Sequence, residues 1–293
     1  MKLSFRKKIS SRKFIVTAEI SPPKGTDVRG MLKDAELIKD VVDAINITDN
    51  QRAVMRMSPM AACGILSHKG YETIMHLTCR DRNRIALQSE LLGAWALEVH
   101  NILVMSGDHP VKGDHEAAKP VYDLDSVQLL GMIDGLNQGF DFSGHSLHGE
   151  TDFCAGAVTN AELNEAAFAK LEKKIKAGAR FIQTQAVFDT EKFTEFMDKI
   201  RGSDTFEEIK IIAGVIPLRS EKNADFLNRN IAGIRVPEDM ISRMHKAKSP
   251  VFEGMEIASE LIKELRLLCD GVHIMTIGTH EKTPGILEMA GIR

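Results

Sequence analysis

Residues 14–25, FIVTAEISPPKG, hold an apolar run that carries a carboxylate near its end and is followed at once by two prolines. The run Phe14–Ile20 is rich in β-branched residues, and Pro22 and Pro23 cannot continue a strand, so a strand ending near residue 20 is predicted. Glu19 stands where this strand should be buried, and burying a carboxylate is costly unless it is paired or protonated. The stretch therefore predicts a buried strand that presents an acid at its carboxyl end.

The same type of run recurs along the chain and alternates with segments of helical periodicity. Eight strands are predicted, at residues 14–20, 44–48, 73–78, 101–106, 153–159, 180–185, 209–215 and 272–277. The intervening segments carry one apolar stripe each, as in Leu32, Ala35 and Ile38, which is typical of helices packed on a sheet. Extra helices are predicted within residues 221–245, between the seventh and eighth strands.

Eight strand-then-helix units predict one (β/α)8 barrel over residues 1–293. The strands are apolar on both faces, as in a parallel sheet covered by helices. A doubly wound open sheet is the alternative, but the dinucleotide fingerprint GxGxxG is missing, since SPPKGTDVRG follows the first strand.

Charge and composition exclude several classes of protein. The net charge of −3 offers no broad basic field for nucleic acid, and no segment approaches the ~20 apolar residues of a membrane helix. Four scattered cysteines without CxxC spacing favour a reducing cytoplasm and give no metal-ligand pattern. Six basic side chains within residues 1–13 predict a solvated basic N-terminal arm.

Chemistry in a barrel of this kind lies at the carboxyl ends of the strands. In chain order, these ends carry Glu19, Thr48-Asp49, His76, Gly107-Asp108, Thr159-Asn160, Gln185, Pro217 and Thr276. Polar residues thus cluster at one end while the strand bodies are apolar. The pattern predicts a ligand-binding rim.

Each rim residue has a functional and a structural interpretation. Desolvation would raise the pKa of Glu19 and make it a proton donor near neutral pH, although an ordinary ion pair is the alternative. A lone histidine on a strand is more often a hydrogen-bonded core residue than a catalyst, which is the alternative for His76, and Gly107-Asp108 could equally be a simple turn. Gln185 offers a donor and an acceptor for a heterocycle edge, or for a neighbouring strand. From these residues we predict a barrel enzyme acting on a polar heterocycle.

The chain also resembles a known family. The stretches TAEISPPKG, INITD, HLTCRDR, LVMSGDHP, FIQTQAVFD, IIAGVIPL and RVPEDM occur in order at the predicted strands. In this ordered set the chain is similar to methylenetetrahydrofolate reductase in its short bacterial and archaeal form. That resemblance implies a (β/α)8 barrel, in agreement with the strand count.

The resemblance implies a flavin at the barrel mouth, either FAD or FMN. In this family the flavin accepts a hydride from NADH or NADPH and then reduces 5,10-methylenetetrahydrofolate to 5-methyltetrahydrofolate. The two half-reactions follow one another by a ping-pong route. It assigns the acid to Glu19, a pterin and flavin contact to Asp108, and a folate or nicotinamide contact to Gln185. Further substrate contacts are expected at Asn223 and Lys282. Cofactor contacts are expected at Thr48, His76, Ser106, Gly107, Asp108, Tyr122, Lys173 and Lys174.

The departures from the family pattern leave alternatives open. Ser106 stands where the familiar bacterial enzymes have arginine, and AGAVTNAE replaces an aromatic-containing segment, so FMN remains an alternative to FAD. A cysteine-rich metal-cluster subunit could supply electrons in place of a nicotinamide, and an oligomer is expected. A non-redox pterin-dependent barrel enzyme and a flavin- or folate-binding subunit that needs a partner for catalysis are the other interpretations.

Overall fold

The computed structural model describes residues 4–162, 164–231, 233–276 and 278–292, and the barrel is closed. Each strand pairs in parallel with the next one in the chain, and β1 pairs with β8. The strands are β1 Ile15–Ile20, β2 Ala44–Ile47, β3 Thr73–Thr78, β4 Asn101–Met105, β5 Cys154–Thr159, β6 Phe181–Ala186, β7 Lys210–Val215 and β8 Gly271–Ile274. The predicted eight-stranded barrel is confirmed, and the open sheet is wrong.

Helices surround the barrel and cover the outer face of its sheet, except the first, which lies at the bottom of the barrel. They are α1 Phe5–Ile9, α2 Arg29–Ile38, α3 Pro59–Ser67, α4 Arg84–Ala96, α5 Ser126–Asn137, α6 Glu165–Lys176, α7 Thr190–Arg201, α8 Glu221–Asn230, α9 Glu238–Lys246, α10 Pro250–Leu268 and α11 Thr283–Met289. The extra helices predicted between β7 and β8 are α8 and α9, and α10 follows them. Among the described helices, none is both long and apolar enough to cross a membrane.

The interior of the barrel is filled by alternate residues of each strand, because successive side chains of a strand point to opposite faces. The layer nearest the strand starts is apolar and holds Ile15, Ala44, Ile74, Leu103, Cys154, Phe181 and Ile212. Phe181 fits only because Gly156 faces it: a Cβ atom on Gly156 would lie 2.4–2.5 Å from three ring carbons. The barrel is therefore a packed core at this end.

The amino-terminal segment closes the bottom of the barrel. Phe5 and Ile9 on α1 are buried and belong to the same apolar cluster as Phe181. The rings of Phe5 and Phe181 meet edge to face with centroids 5.1 Å apart, and the Phe5 amide donates to Glu72 Oε1 at 3.0 Å. Within the predicted basic arm, Arg6 and Lys7 are exposed, while Phe5 and Ile9 on the other face of the same helix form a plug; residues 1–3 lie outside the described part.

Candidate functional site

A cavity of about 400 Å³ opens at the carboxyl ends of the strands. Eight of the predicted site residues line it: Glu19, Thr48, His76, Ser106, Gly107, Asp108, Lys174 and Gln185. The strands bring together residues that are far apart in the chain, as expected for the catalytic end of a barrel. A larger groove of about 800 Å³ runs along the opposite, amino-terminal ends of β2 to β4, away from this constellation.

A buried polar layer lies inside the barrel beneath the cavity. Asn46 Nδ2 lies 2.9 Å from His76 Nε2 and donates to Gln183 Oε1 at 2.9 Å. Gln183 Nε2 donates to Thr17 Oγ1 at 3.3 Å, and Thr17 Oγ1 lies 2.9 Å from His273 Nδ1. These side chains come from five strands and satisfy one another where water is excluded. The layer gives the cavity a fixed polar floor.

Glu19 lies just above this floor and is only 6% exposed. Its Oε2 is 3.7 Å from His273 Nε2, and its Oε1 accepts from Gln51 Nε2 at 3.3 Å. Burial alone raises the pKa of this carboxyl, but the imidazoles of His273 and His76 and the Gln51 amide together lower it by more, so the pKa lies below its usual value. The expectation of a raised pKa in the ligand-free barrel is thus wrong, because β8 places an imidazole beside the carboxyl.

His76 is buried in the polar layer, and its environment favours the neutral ring. Desolvation lowers its pKa to about 4, although the charges of Glu19 and Asp49 act in the opposite direction. The neutral imidazole can exchange a hydrogen bond with Asn46 while it lines the cavity. His76 is therefore both a satisfied core residue and a wall residue, and its two interpretations are compatible.

Titration of His76 predicts a loss of stability in mild acid. Below its ordinary pKa of 6.5, the unfolded chain binds a proton that the buried ring, with a pKa of about 4, does not bind. Unfolding becomes easier as the pH falls between these values. Between pH 7 and pH 5, we expect the free energy of unfolding of the wild type to fall by about 2 kcal/mol more than that of His76→Gln. Urea unfolding at the two pH values measures this difference. Equal losses of unfolding free energy in the two proteins would contradict the prediction.

The rim on the β4 side is formed by a tight turn. Gly107 has φ +85°, and a Cβ atom there would lie 3.0 Å from Thr78 Cβ, so a side chain is disfavoured at this position. The Tyr122 hydroxyl donates to the Gly107 carbonyl at 3.1 Å. Asp108 follows in the chain, and its side chain is 43% exposed. Its Oδ1 lies 3.5 Å from Lys112 Nζ. The turn thus holds an accessible carboxylate at the cavity mouth.

Arg80 supports this turn from below. Its guanidinium is buried, pairs with Asp81 at 2.7 Å, and donates to the carbonyl oxygens of Asp108 and Asn50 at 3.3 Å each. Two rim loops, after β2 and after β4, are thereby tied to one side chain. Because its donors are engaged with protein acceptors, Arg80 serves to position the rim.

Lys174 is the lysine of α6 that reaches the cavity wall. Its side chain is buried, and its Nζ donates to the Val158 carbonyl at 2.7 Å. Burial, followed by repulsion from Lys170, lowers the pKa of Lys174 to about 8. Lys173, its neighbour, is exposed and does not line the cavity.

Three other predicted residues also lie outside the cavity wall. Tyr122 acts through its bond to Gly107. Asn223 lies in the first turn of α8, where its Oδ1 accepts from the Arg219 amide at 3.2 Å. The Nζ atom of Lys282 lies 3.9 Å from Glu281 Oε1. The cavity therefore gives no support to substrate contacts by Asn223 or Lys282.

Sequence reasoning missed four residues of the site: Asn46, Gln51, Gln183 and His273. A signal was available for two of them, Asn46 and Gln183, but not for His273, because Thr276, the rim residue predicted for that strand, is three residues away. Alternate residues of a strand share a face, as Glu19 and Thr17 do on β1. Counting back two residues from Thr48 gives Asn46, and counting back two from Gln185 gives Gln183. Gln51 gave no such signal, because it lies in the loop after β2.

The wall combines apolar surface with hydrogen-bonding side chains. Leu103, Met105, Val158 and Met275 give apolar surface, while Thr48 and the glutamines Gln183 and Gln185 give hydrogen-bonding groups. An isoalloxazine needs both kinds of contact, because its faces are apolar and its nitrogens and carbonyls accept or donate. The cavity can therefore hold the ring of a flavin.

Comparison with known proteins identifies the family. The sequence model of methylenetetrahydrofolate reductase matches residues 4–291, nearly the whole chain. The chain belongs to the methylenetetrahydrofolate reductase family. The resemblance inferred from the ordered motifs is confirmed.

Named relatives agree with this family assignment. The chain is 27% identical over 241 residues to 5,10-methylenetetrahydrofolate reductase of Salmonella typhimurium, covering 78% of this chain and 74% of the relative. It is 26% identical over 238 residues to methylenetetrahydrofolate reductase 2 of Schizosaccharomyces pombe, covering 77% of this chain but 36% of that longer protein.

Among solved structures, a Clostridium thermocellum protein that binds two copies of 5-methyl-5,6,7,8-tetrahydrofolic acid superposes with a TM-score of 0.65 at 15% identity, over 98% of each chain. DmoA from Hyphomicrobium sulfonivorans gives a TM-score of 0.60 at 10% identity, over 96% of this chain and 89% of its own. At these identities the likeness shows the barrel fold.

Proposed function

We propose that the protein catalyses the flavin-dependent reduction of 5,10-methylenetetrahydrofolate to 5-methyltetrahydrofolate. The observation that carries this proposal is the convergence of Glu19, Asp108 and Gln185 on one cavity at the catalytic end of a barrel of this family. The cofactor proposed is FAD, with FMN as the alternative, and NADH or NADPH is the proposed donor. A flavin held by Thr48, His76, Ser106 and Gly107 would supply the hydride for the substrate's exocyclic carbon.

Glu19 is proposed to protonate the folate nitrogen whose release opens the five-membered ring. The cavity ligands would displace water from the carboxyl and favour its protonated form. Once the proton has left, His273 and Gln51 stabilise the carboxylate that remains. Ligand binding is thus proposed to raise the pKa of Glu19 from its lowered value in the ligand-free barrel.

Asp108 and Gln185 are proposed to orient the two-ring pterin. A pterin edge presents several N–H donors beside acceptors, and the exposed carboxylate of Asp108 can accept from two adjacent donors. Gln185 lines the cavity from β6, where its Oε1 accepts from the Ala186 amide at 3.2 Å, which limits the rotation of its amide. Partners that follow or belong to different strands restrict the ring to one orientation, which catalysis of a directed proton transfer requires.

His273 predicts a specific pH dependence. The imidazole lowers the pKa of Glu19, so His273→Asn should raise it. Because the protonated carboxyl is the active form, the folate half-reaction of the variant should persist to higher pH than that of the wild type. Single-turnover oxidation of the reduced protein by methylenetetrahydrofolate across pH tests this, and a profile displaced to lower pH would contradict it.

The electron donor of the proposed reaction is either a nicotinamide or a partner subunit that carries metal clusters. The four cysteines are each buried and form no disulfide, and burial raises the pKa of Cys79, Cys154 and Cys269 to about 12. Such thiols are unsuited to holding a cluster on this chain's surface. A cysteine-rich partner subunit would therefore have to bring its own metal clusters, and it remains the alternative to direct reduction by NADH or NADPH.

The test is to purify the native protein, identify the released cofactor by mass, and assay both half-reactions. Bound flavin together with reduction of methylenetetrahydrofolate supports the proposal. Protein that acts on a pterin but contains no flavin supports a non-redox barrel enzyme instead. Protein that binds flavin and folate but reduces neither supports a binding subunit whose catalysis needs a partner.

A further inference from the structure

The main chain of Glu19 is held by a histidine from the far end of the sequence. The Glu19 carbonyl oxygen lies 3.1 Å from Nε2 of His280. Because a carbonyl oxygen only accepts hydrogen bonds, Nε2 is the donor in this contact. His280 begins a single turn of 3₁₀ helix, His280–Lys282, between β8 and α11, and it is only 6% exposed. A buried imidazole is thus joined to the backbone of the residue proposed as the acid.

The end of the ladder between β1 and β8 explains why a side chain is needed there. The Ile15 amide donates to the carbonyl of Asp270, just before β8, and alternate residues of a strand turn their backbone groups toward the same neighbour. The Glu19 carbonyl therefore also points toward β8. The last pair of this ladder, however, joins Ala18 to Ile274, where β8 ends. The imidazole supplies a donor beyond the end of the strand, where an unpaired carbonyl of a buried residue would be costly.

The other nitrogen of the same ring faces a carboxylate. His280 Nδ1 lies 3.4 Å from Oδ2 of Asp34, which lies on α2. Both ring nitrogens thus face oxygen atoms that accept, and a ring that carries hydrogen on both nitrogens satisfies both oxygens. A ring held at two positions cannot turn without losing one of its contacts. Asp34 therefore fixes the direction in which Nε2 donates.

The backbone at the end of β1 is bound from both sides. On the β2 side, the carbonyl of the next residue, Ile20, accepts from the Thr48 amide at 3.3 Å. On the β8 side, the contact is the one from His280. Two prolines follow shortly after the strand, and proline has no N–H that could add a further bond. The position of the Glu19 backbone thus depends on one strand neighbour and one imidazole.

We propose that His280, oriented by Asp34, is a positioning residue that sets where the Glu19 carboxyl lies in the cavity. The inference rests on the proposed function, in which Glu19 gives its proton to a folate nitrogen. Proton transfer needs the two heavy atoms within about 3 Å of each other, so a small shift of the backbone that carries the acid slows it. In the described part of the chain, the cavity wall does not include His280, which therefore acts through Glu19.

Two substitutions of different length separate the roles of the two ring nitrogens. Glutamine at position 280 can place an amide N–H where Nε2 lies, whereas asparagine reaches only as far as Nδ1. We expect His280→Ala and His280→Asn to slow the folate half-reaction by about 10- to 100-fold, and His280→Gln to keep it within about 3-fold of the wild type. Reduction of the flavin by its donor should be unaltered in all three variants. Single-turnover absorbance of the flavin in the full-length holoprotein measures each half-reaction.

Asp34→Ala tests the orienting carboxylate. It should slow the folate half-reaction by about 3- to 10-fold in the wild-type background and have no further effect in His280→Gln, because only the imidazole depends on Asp34. His145→Ala is the matched control, since His145 Nδ1 lies 2.9 Å from a carboxylate oxygen of Asp141 in an exposed segment between α5 and β5. Removing that pair should leave both half-reactions unchanged.

Three results would overturn the proposal. One is an equal rate of the folate half-reaction in wild type and His280→Ala. Another is an equal loss in the Ala, Asn and Gln variants, which would show a need for the packing of the ring and not for its donor. The third is an equal loss in both half-reactions.

Hydrogen exchange of the β1 amides, followed by mass spectrometry, gives a measurement that needs no substrate. Exchange should be faster in His280→Ala than in His280→Gln, and the same slow exchange in both would contradict the tie between His280 and β1. Wild-type holoprotein that does not reduce methylenetetrahydrofolate would contradict the proposed function, and with it the role of Glu19 as the acid, whatever the exchange shows.

Discussion

Replacing Glu19 with glutamine is expected to slow reduction of methylenetetrahydrofolate by about 10²- to 10⁴-fold, the usual contribution of a positioned general acid. Glutamine keeps the size of the side chain and can still contact Gln51, but it has no acidic proton to give. Reduction of the bound flavin by its donor needs no proton from this residue, so that half-reaction should continue at its normal rate. Stopped-flow absorbance of the flavin measures each half-reaction separately.

Glu208→Gln is a suitable control, because Glu208 is exposed and lies just before β7 at the opposite end of the barrel. It removes the same charge and should leave both half-reactions unaltered. If Glu19→Gln slowed the two half-reactions equally, the carboxyl would be acting on cofactor binding or folding, and the assignment of Glu19 as the acid would fail.

Replacing Phe181 with alanine is expected to lower the free energy of unfolding by about 3–5 kcal/mol. The ring is fully buried in the apolar layer, packs against Phe5, and occupies the space that Gly156 leaves open. Removing it leaves a cavity that rigid strands on every side cannot collapse to fill. Urea unfolding, followed by circular dichroism, measures the loss.

Phe252→Ala is the matched control, because Phe252 is 51% exposed and its truncation should cost under about 0.5 kcal/mol. Phe5→Ala alone should also destabilise the protein, and the double variant should lose less than the sum, since the two rings contact each other. A loss under about 1 kcal/mol for Phe181→Ala would contradict a packed barrel bottom closed by α1.

The strands were accessible from the sequence because each is a short β-branched run bounded by polar or turn-forming residues. Predicted and observed bounds differ by at most one residue for β1 to β7, whereas the last strand, predicted over 272–277, begins at Gly271 and ends at Ile274. Their order around the barrel followed from the alternation with helices. The plug formed by α1 was not predicted, because the charges of residues 1–13 obscured the helical spacing of Phe5 and Ile9.

For the site, the sequence by itself determined which strand ends carry polar residues, and hence Glu19, His76, Asp108 and Gln185 as wall residues. Only the tertiary structure decided the charge state of Glu19, because β1 and β8 are distant in the chain and adjacent in the closed barrel. Local sequence specifies a backbone conformation, whereas a pKa depends on whatever charge lies within a few ångströms in space. Barrel closure brings those charges together.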